Sequence, residues 1–320
     1  MYCWIGVGFA VLFLLWLLLE WKTSRSDATY LRNVHKYRIM MQYIMPTRNE
    51  SLVYYDADID AAPLLDYIKQ AREHFHVDVT HCLVAATAVG LYENPEMNRF
   101  SMGHRLYQRK GNWITFSMKR KKKNKKARLA TVKKQIPEDM TFRQLCSYIQ
   151  GEIKEQRSEK VTYHDKEYNL LTAIPRPFLK FGVWFLKRLD YYNILPHDFI
   201  ENDALYTSAF LANLGSIGMG AGFHHLYEWG NCPLFILAGK IEERVVVVDG
   251  EITTKTVIPV RFTYDERIDD GLTASHGIAS VTRVLEDPFQ NPGCLKADGS
   301  DHCLLGRADE VVPLETKNEE

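Results

Sequence analysis

Three groups of residues in this chain are of types that do proton-transfer or phosphate chemistry. The first is the run Asp265, Glu266, Arg267, Ile268, Asp269, Asp270 and Gly271, where carboxylates crowd around one guanidinium. A carboxylate in such a run exchanges protons near neutral pH only when burial or a like charge lifts its pKa. The second group is His224, His225, Tyr227 and Glu228, in a glycine-flanked loop. Imidazole titrates near ~6.5, which suits acid–base work, while the plainer reading is two surface histidines packing a loop. The set lacks the regular helical spacing of a His-His-Glu metal site, and no metal is expected. His276, six residues past Asp270, reads as a packing or capping residue.

The third group is the run 119–128, with eight basic residues in ten. It reads first as a solvated hairpin loop, as charge runs usually are. Its second reading is anionic lipid, worth ~1 kcal/mol per basic residue near a membrane surface. A third is the phosphates of a soluble ligand, with Lys121, Lys122, Lys123 and Lys125 as the candidates. Nucleic acid is disfavoured, because no aromatic interleaving or base-reading motif accompanies the run.

The elements that position these groups follow from periodicity. Residues 257–271 begin with strand-like alternation and end at an Asp-Gly turn into a helical period over 272–288. Residues 40–55 read as extended segments around Pro46, and 61–75 as a helix. Residues 79–92 form a helix apolar nearly all round, hence buried. Strands are expected over 113–118, 235–241 and 244–248, the last ending at an Asp249-Gly250 hairpin turn. Residues 142–156 form an amphipathic helix. Residues 178–189 are hydrophobic over most of a helix circumference, which reads as core or channel cover, or else as a helix lying in a membrane interface. From 289 onward the chain is acidic and aperiodic, and a disordered tail is expected.

Formal net charge is zero over 320 residues, so no overall attraction to nucleic acid or membrane exists. The amino terminus is different. Residues 1–19 carry no charge, and a helix over them would be ~28 Å long against a hydrocarbon core of ~30 Å. With no basic residue before it and Lys22 and Arg25 after it, the segment reads as an uncleaved anchor with the body on the cytoplasmic side. Trp21 would sit at the interface, and residues 22–33 would form a polar tether. The six cysteines have no CxxC spacing and read as free thiols.

The run 265–271 resembles the D-H-R-x-x-D-G signature of the 2-oxoacid dehydrogenase dihydrolipoyl acyltransferases, whose fold is shared with chloramphenicol acetyltransferase. Asn94, Pro95, Glu96, Met97 and Asn98 resemble that family's h-P-E-L-N, and residues 206–218 resemble its T-I-S-N-L-G segment, with Asn213, Leu214 and Gly215 matching. The resemblance implies one α/β domain over 34–288, a mixed sheet with packed helices, assembled as a homotrimer with sites between subunits. It implies an acyl-CoA substrate, whose coenzyme A phosphates are the soluble ligand for Lys121, Lys122, Lys123 and Lys125, and a site around Glu266, Asp270, Ala212, Asn213 and Ser216. Two family groups differ: the catalytic His falls on Glu266, and the Ser that donates to the oxyanion falls on Ala212. A histidine takes a thiol proton ~2 pKa units uphill, an ordinary glutamate ~4. The expectation is therefore a membrane-anchored, free-standing acyltransferase without a lipoyl domain, its site rebuilt with Glu266 or the His224-His225 loop. The alternative is an inactive relative serving as a CoA-binding or trimeric membrane scaffold.

Overall fold

The computed structural model describes residues 2–119, 129–157 and 174–311. The basic run, with Lys121, Lys122, Lys123 and Lys125, lies outside the described residues apart from the backbone of Lys119. The chain opens with α1 (Tyr2–Trp21), β1 (Ala28–Tyr30), α2 (Lys36–Ile44), β2 (Leu52–Asp60), α3 (Ala62–Ala71) and α4 (Val79–Glu93). Then follow β3 (Arg99–Met102), β4 (Arg105–Arg109), β5 (Asn112–Lys119), β6 (Leu129–Ile136) and α5 (Phe142–Arg157). The remainder is α6 (Arg176–Tyr191), α7 (His197–Asn202), β7 (Ala209–Asn213), β8 (Leu234–Ala238), β9 (Glu242–Val248), β10 (Glu251–Asp265), α8 (Gly271–Glu286), β11 (Cys303–Leu304) and β12 (Arg307–Val311).

The main sheet runs β2-β10-β8-β7-β5-β6, with β9 pairing the first half of β10. It is mixed: β5, β7 and β8 are mutually parallel and the other pairings antiparallel. One face carries Ile114, Phe116, Leu211, Ile236, Val260 and Phe262 against the helices α3, α4, α5 and α8. Such alternation along strands is what a sheet covered on that side requires. Helix α4 is buried nearly all round, as its composition dictates, and is started by Asp78, whose carboxylate accepts from the N–H groups of Thr80 and His81. It crosses α8 so closely that a Cβ on Gly90 would meet Val281 at 2.9 Å. The β9–β10 turn has positive φ at both Asp249 and Gly250, which is the hairpin geometry that Asp-Gly favours.

Four expectations change. Residues 40–44, expected to be extended, belong to the helix α2, which is capped by the His35 ring accepting from the Tyr37 N–H. Residues 22–33 are no tether. Arg25 is 8% exposed, paired with Asp27 and Asp190, and β1 adds to β4. The tail folds back as far as Val311: Cys294 and His302 are fully buried, and Gly306 and Leu305 bond to the 138–140 turn. Its acidic side chains do local work, Asp301 accepting from the backbone of Leu295 and Lys296, which composition does not register. Finally, α6 is not core, since its aromatic face is exposed. Helix α1 is long and apolar enough to cross a membrane, and Glu20 near its end pairs with Arg105 of the body. Cys82, Cys146, Cys232 and Cys294 are free thiols, and these four and Cys303 are buried.

Candidate functional site

At the end of β10, Asp265 is 1% exposed and held from three sides. Arg267 reaches both of its oxygens, Nε to Oδ1 at 2.9 Å and Nη2 to Oδ2 at 2.7 Å, and Ser51 Oγ donates to Oδ1 at 2.8 Å. The guanidinium therefore belongs to Asp265, two residues back, and not to Glu266. Glu266 is fixed through its backbone: its N–H donates to Ser51 O and its carbonyl accepts from Arg38. Among the described residues nothing engages its half-exposed carboxylate. Asp269 pairs with Arg99 at 2.6 Å and with Arg38 at 3.4 Å. Asp270 caps α8, and the hydrogen bond from the Thr273 backbone holds its carboxyl below the usual range.

The other half of the motif lies elsewhere. Ala212 is level with Leu237 on β8, which is level with Arg261 on β10. Glu266 is five residues further along, about 17 Å down the strand direction. Asn213 bridges the strand end to α4, donating to Thr80 Oγ1 at 3.1 Å and accepting from the Ser216 N–H. Ser216 Oγ donates back to Asn213 O at 2.7 Å, and Ser208 Oγ accepts from Trp113 N–H, so neither hydroxyl reaches Ala212. Ser117 does what they do not. It is the β5 partner of Ala212 in a parallel ladder, so both side chains share a face with backbones ~4.8 Å apart. Together with Thr80, Asn213 and Ser216 it lines a cleft of about 420 Å³, whose walls also carry Arg72 and Lys240. No sequence motif marks Ser117; only the register of β5 against β7 reveals it.

The histidine loop packs on the sheet face away from the helices. His224 stacks on Phe235 with ring centroids 4.0 Å apart, and on His225 at 4.9 Å. Each Nδ1 faces a backbone carbonyl, His225 O at 2.6 Å and Leu226 O at 2.8 Å. A carbonyl only accepts, so Nδ1 carries the proton and Nε2 is the free position in the neutral ring. Glu228 is committed elsewhere, accepting from the backbone and side-chain amides of Asn49. His276 is exposed on α8.

Residues 202–291 match the family model of the 2-oxoacid dehydrogenases acyltransferase (catalytic domain). A stretch of 81 residues, 25% of the chain, is 32% identical to the dihydrolipoyllysine-residue acetyltransferase component of the pyruvate dehydrogenase complex of Bacillus subtilis. That alignment spans 18% of the relative's length. The structure superposes on a probable dihydrolipoamide acetyltransferase from Listeria monocytogenes with a TM-score of 0.54, at 13% identity, covering 84% of this chain and 99% of the other. The fold is the acyltransferase fold. Chloramphenicol acetyltransferase matches it as well, with a TM-score of 0.50 at 14% identity over 81% of this chain and 99% of that one. In this acyltransferase-like chain the matched segment contains the Ala212-Asn213 strand end, the histidine loop and the Glu266 strand end.

Proposed function

We propose that the protein is an acyltransferase whose site forms between copies, with the cleft at Ser117 and Asn213 from one chain and Glu266 from the next. The observation that carries this is the separation of the two motif halves to opposite ends of one sheet. Each half is open at its own end, and a neighbouring copy can join them. The donor is an acyl-CoA, with Arg72 and Lys240 on the cleft wall available to its phosphates. Glu266 takes the proton of the acceptor as the acceptor attacks the acyl carbon. Ser117 donates to the tetrahedral oxyanion, and Glu266 returns the proton to the leaving CoA sulfur. Burial against the neighbouring copy is what would raise Glu266 toward the range this requires.

The acceptor is delivered from a membrane. Helix α1 spans it, and Lys22 immediately after α1 supports a cytoplasmic body. The β10 end faces that side: Arg105 pairs with Glu20, His104 Nδ1 meets Gln42 O at 2.7 Å, and Gln42 donates to Arg267 O. The glutamate at the family's histidine position favours a second reading, an inactive CoA-binding scaffold.

The test uses the full chain in detergent, titrated with CoA and acetyl-CoA by calorimetry while free thiol is followed. Glu266→Gln and Ser117→Ala copies are then co-assembled. Two inactive variants that regain thiol release on mixing establish a shared site. Binding without release in the native chain selects the scaffold, and absence of binding removes CoA from the account.

A further inference from the structure

Helix α6 turns one face to the protein and leaves another, strongly apolar one outside it. Leu186 and Leu189 pack with Leu195, Ile200 and Tyr206. Phe178, Phe181, Trp184 and Phe185 are 69%, 62%, 53% and 47% exposed, and their spacing gathers them on a single stripe. The cations Arg176, Lys180 and Lys187 lie beyond one side of that stripe and Arg188 within it, the Arg188 guanidinium 5.9 Å over the Trp184 ring. The helix holds one acidic residue, Asp190, and it is buried against Arg25 at 2.8 Å. The exposed surface is therefore aromatic and positive.

We propose that α6 lies in the headgroup–acyl boundary of an anionic bilayer, with its aromatic stripe inserted and its cations at the lipid phosphates. This rests on α1 spanning the same bilayer. An amphipathic helix with aromatics on one face and basic residues beside them has the composition of an interfacial helix. Its position fits as well. Asn193, just past the helix, donates to Lys22 O at 2.9 Å, and Arg25 holds Asp190, so the end of α6 is fastened to the first residues after α1. Those residues mark the depth at which the apolar segment ends. From there α6 extends ~24 Å, sixteen residues at ~1.5 Å each. A second copy is a poorer occupant, because pairing two such stripes would bring eight cations together with no free carboxylate on either helix.

The full chain is reconstituted in phosphatidylcholine vesicles with and without phosphatidylglycerol, carrying photoreactive benzoylphenylalanine at Val11, Phe181, Trp184 or Val247. Val11 lies within α1, and Val247 is a 70% exposed control on β9. Lipid adducts at Phe181 and Trp184, absent at Val247 and reduced without phosphatidylglycerol, are the expected result. Adducts at Val11 with none at Phe181 or Trp184 overturn the inference and leave the anchor standing. No adduct at Val11 overturns the anchor, and the proposal for α6 with it. Protein–protein adducts at Phe181 or Trp184 assign the stripe to contact between copies and overturn it equally.

Discussion

Ser117 and Ala212 sit side by side in the parallel pairing of β5 with β7, and they turn the same way. A hydroxyl missing from one strand is thus present on the next, within one strand spacing. Ser117→Ala should lower acyl transfer ~10²- to 10³-fold, the usual cost of an oxyanion donor, with melting temperature unchanged. Steady-state thiol release and a thermal melt check this; an unaltered kcat would return the donor's role to another group.

Glu266→Gln should reduce kcat by ~10² or more while leaving stability intact, because its carboxylate holds no described partner. His224→Ala should do the reverse. That ring stacks on Phe235 and anchors its own loop, so its loss lowers the melting temperature and leaves the rate within a few-fold. Parallel kinetics and melts on the two variants separate a base from a packing residue.

Legibility in the sequence divided along physical lines. Helix α4 and the alternation of β10 were readable because burial imposes a pattern on adjacent residues. The Asp249-Gly250 turn was readable because few residues tolerate its backbone. Ser117 was not, since its meaning depends on strand register across nearly one hundred residues of chain. Arg25 was hidden for a similar reason: one arginine in a polar stretch looks solvated until Asp190 and Asn193 arrive from far along the chain. The partner of Arg267 was also undetermined, as Asp265 and Glu266 both lie within two residues of it.

Asp265→Asn and Arg267→Ala should each destabilise the fold by ~3–5 kcal/mol, since either leaves a buried charge without its partner. Arg267→Lys should fall between them and the native protein, keeping the charge but losing the two-point geometry. Chemical denaturation of the three variants, compared at one pH, reads the order directly.

Acid should loosen the start of α4. Burial pushes the Asp78 carboxyl up, but the hydrogen bonds and charge of His81 and the backbone bond from Thr80 outweigh it, leaving its pKa below the usual range. A folded-state pKa below the unfolded ~3.9 gives stability that is present above about pH 4 and lost as pH falls through the folded value. Asp78→Ala should cost ~1 kcal/mol at neutral pH and flatten the acid limb of a stability–pH curve. A limb of unchanged slope would move that titration to other carboxylates.

The Arg25 network has a mechanical meaning. With α1 in a bilayer, a flexible tether would let the body swivel and sample partners through a wide cone. Arg25, Asp27, Asp190 and Asn193 instead clamp the chain within a few residues of Trp21, so that helix and body share one orientation. On the proposed function, Glu266 would then keep a set height and bearing over the lipid surface. In that arrangement, changes in bilayer thickness that tilt α1 would be passed on as rotation of the whole body, and the membrane would become part of the frame in which copies meet.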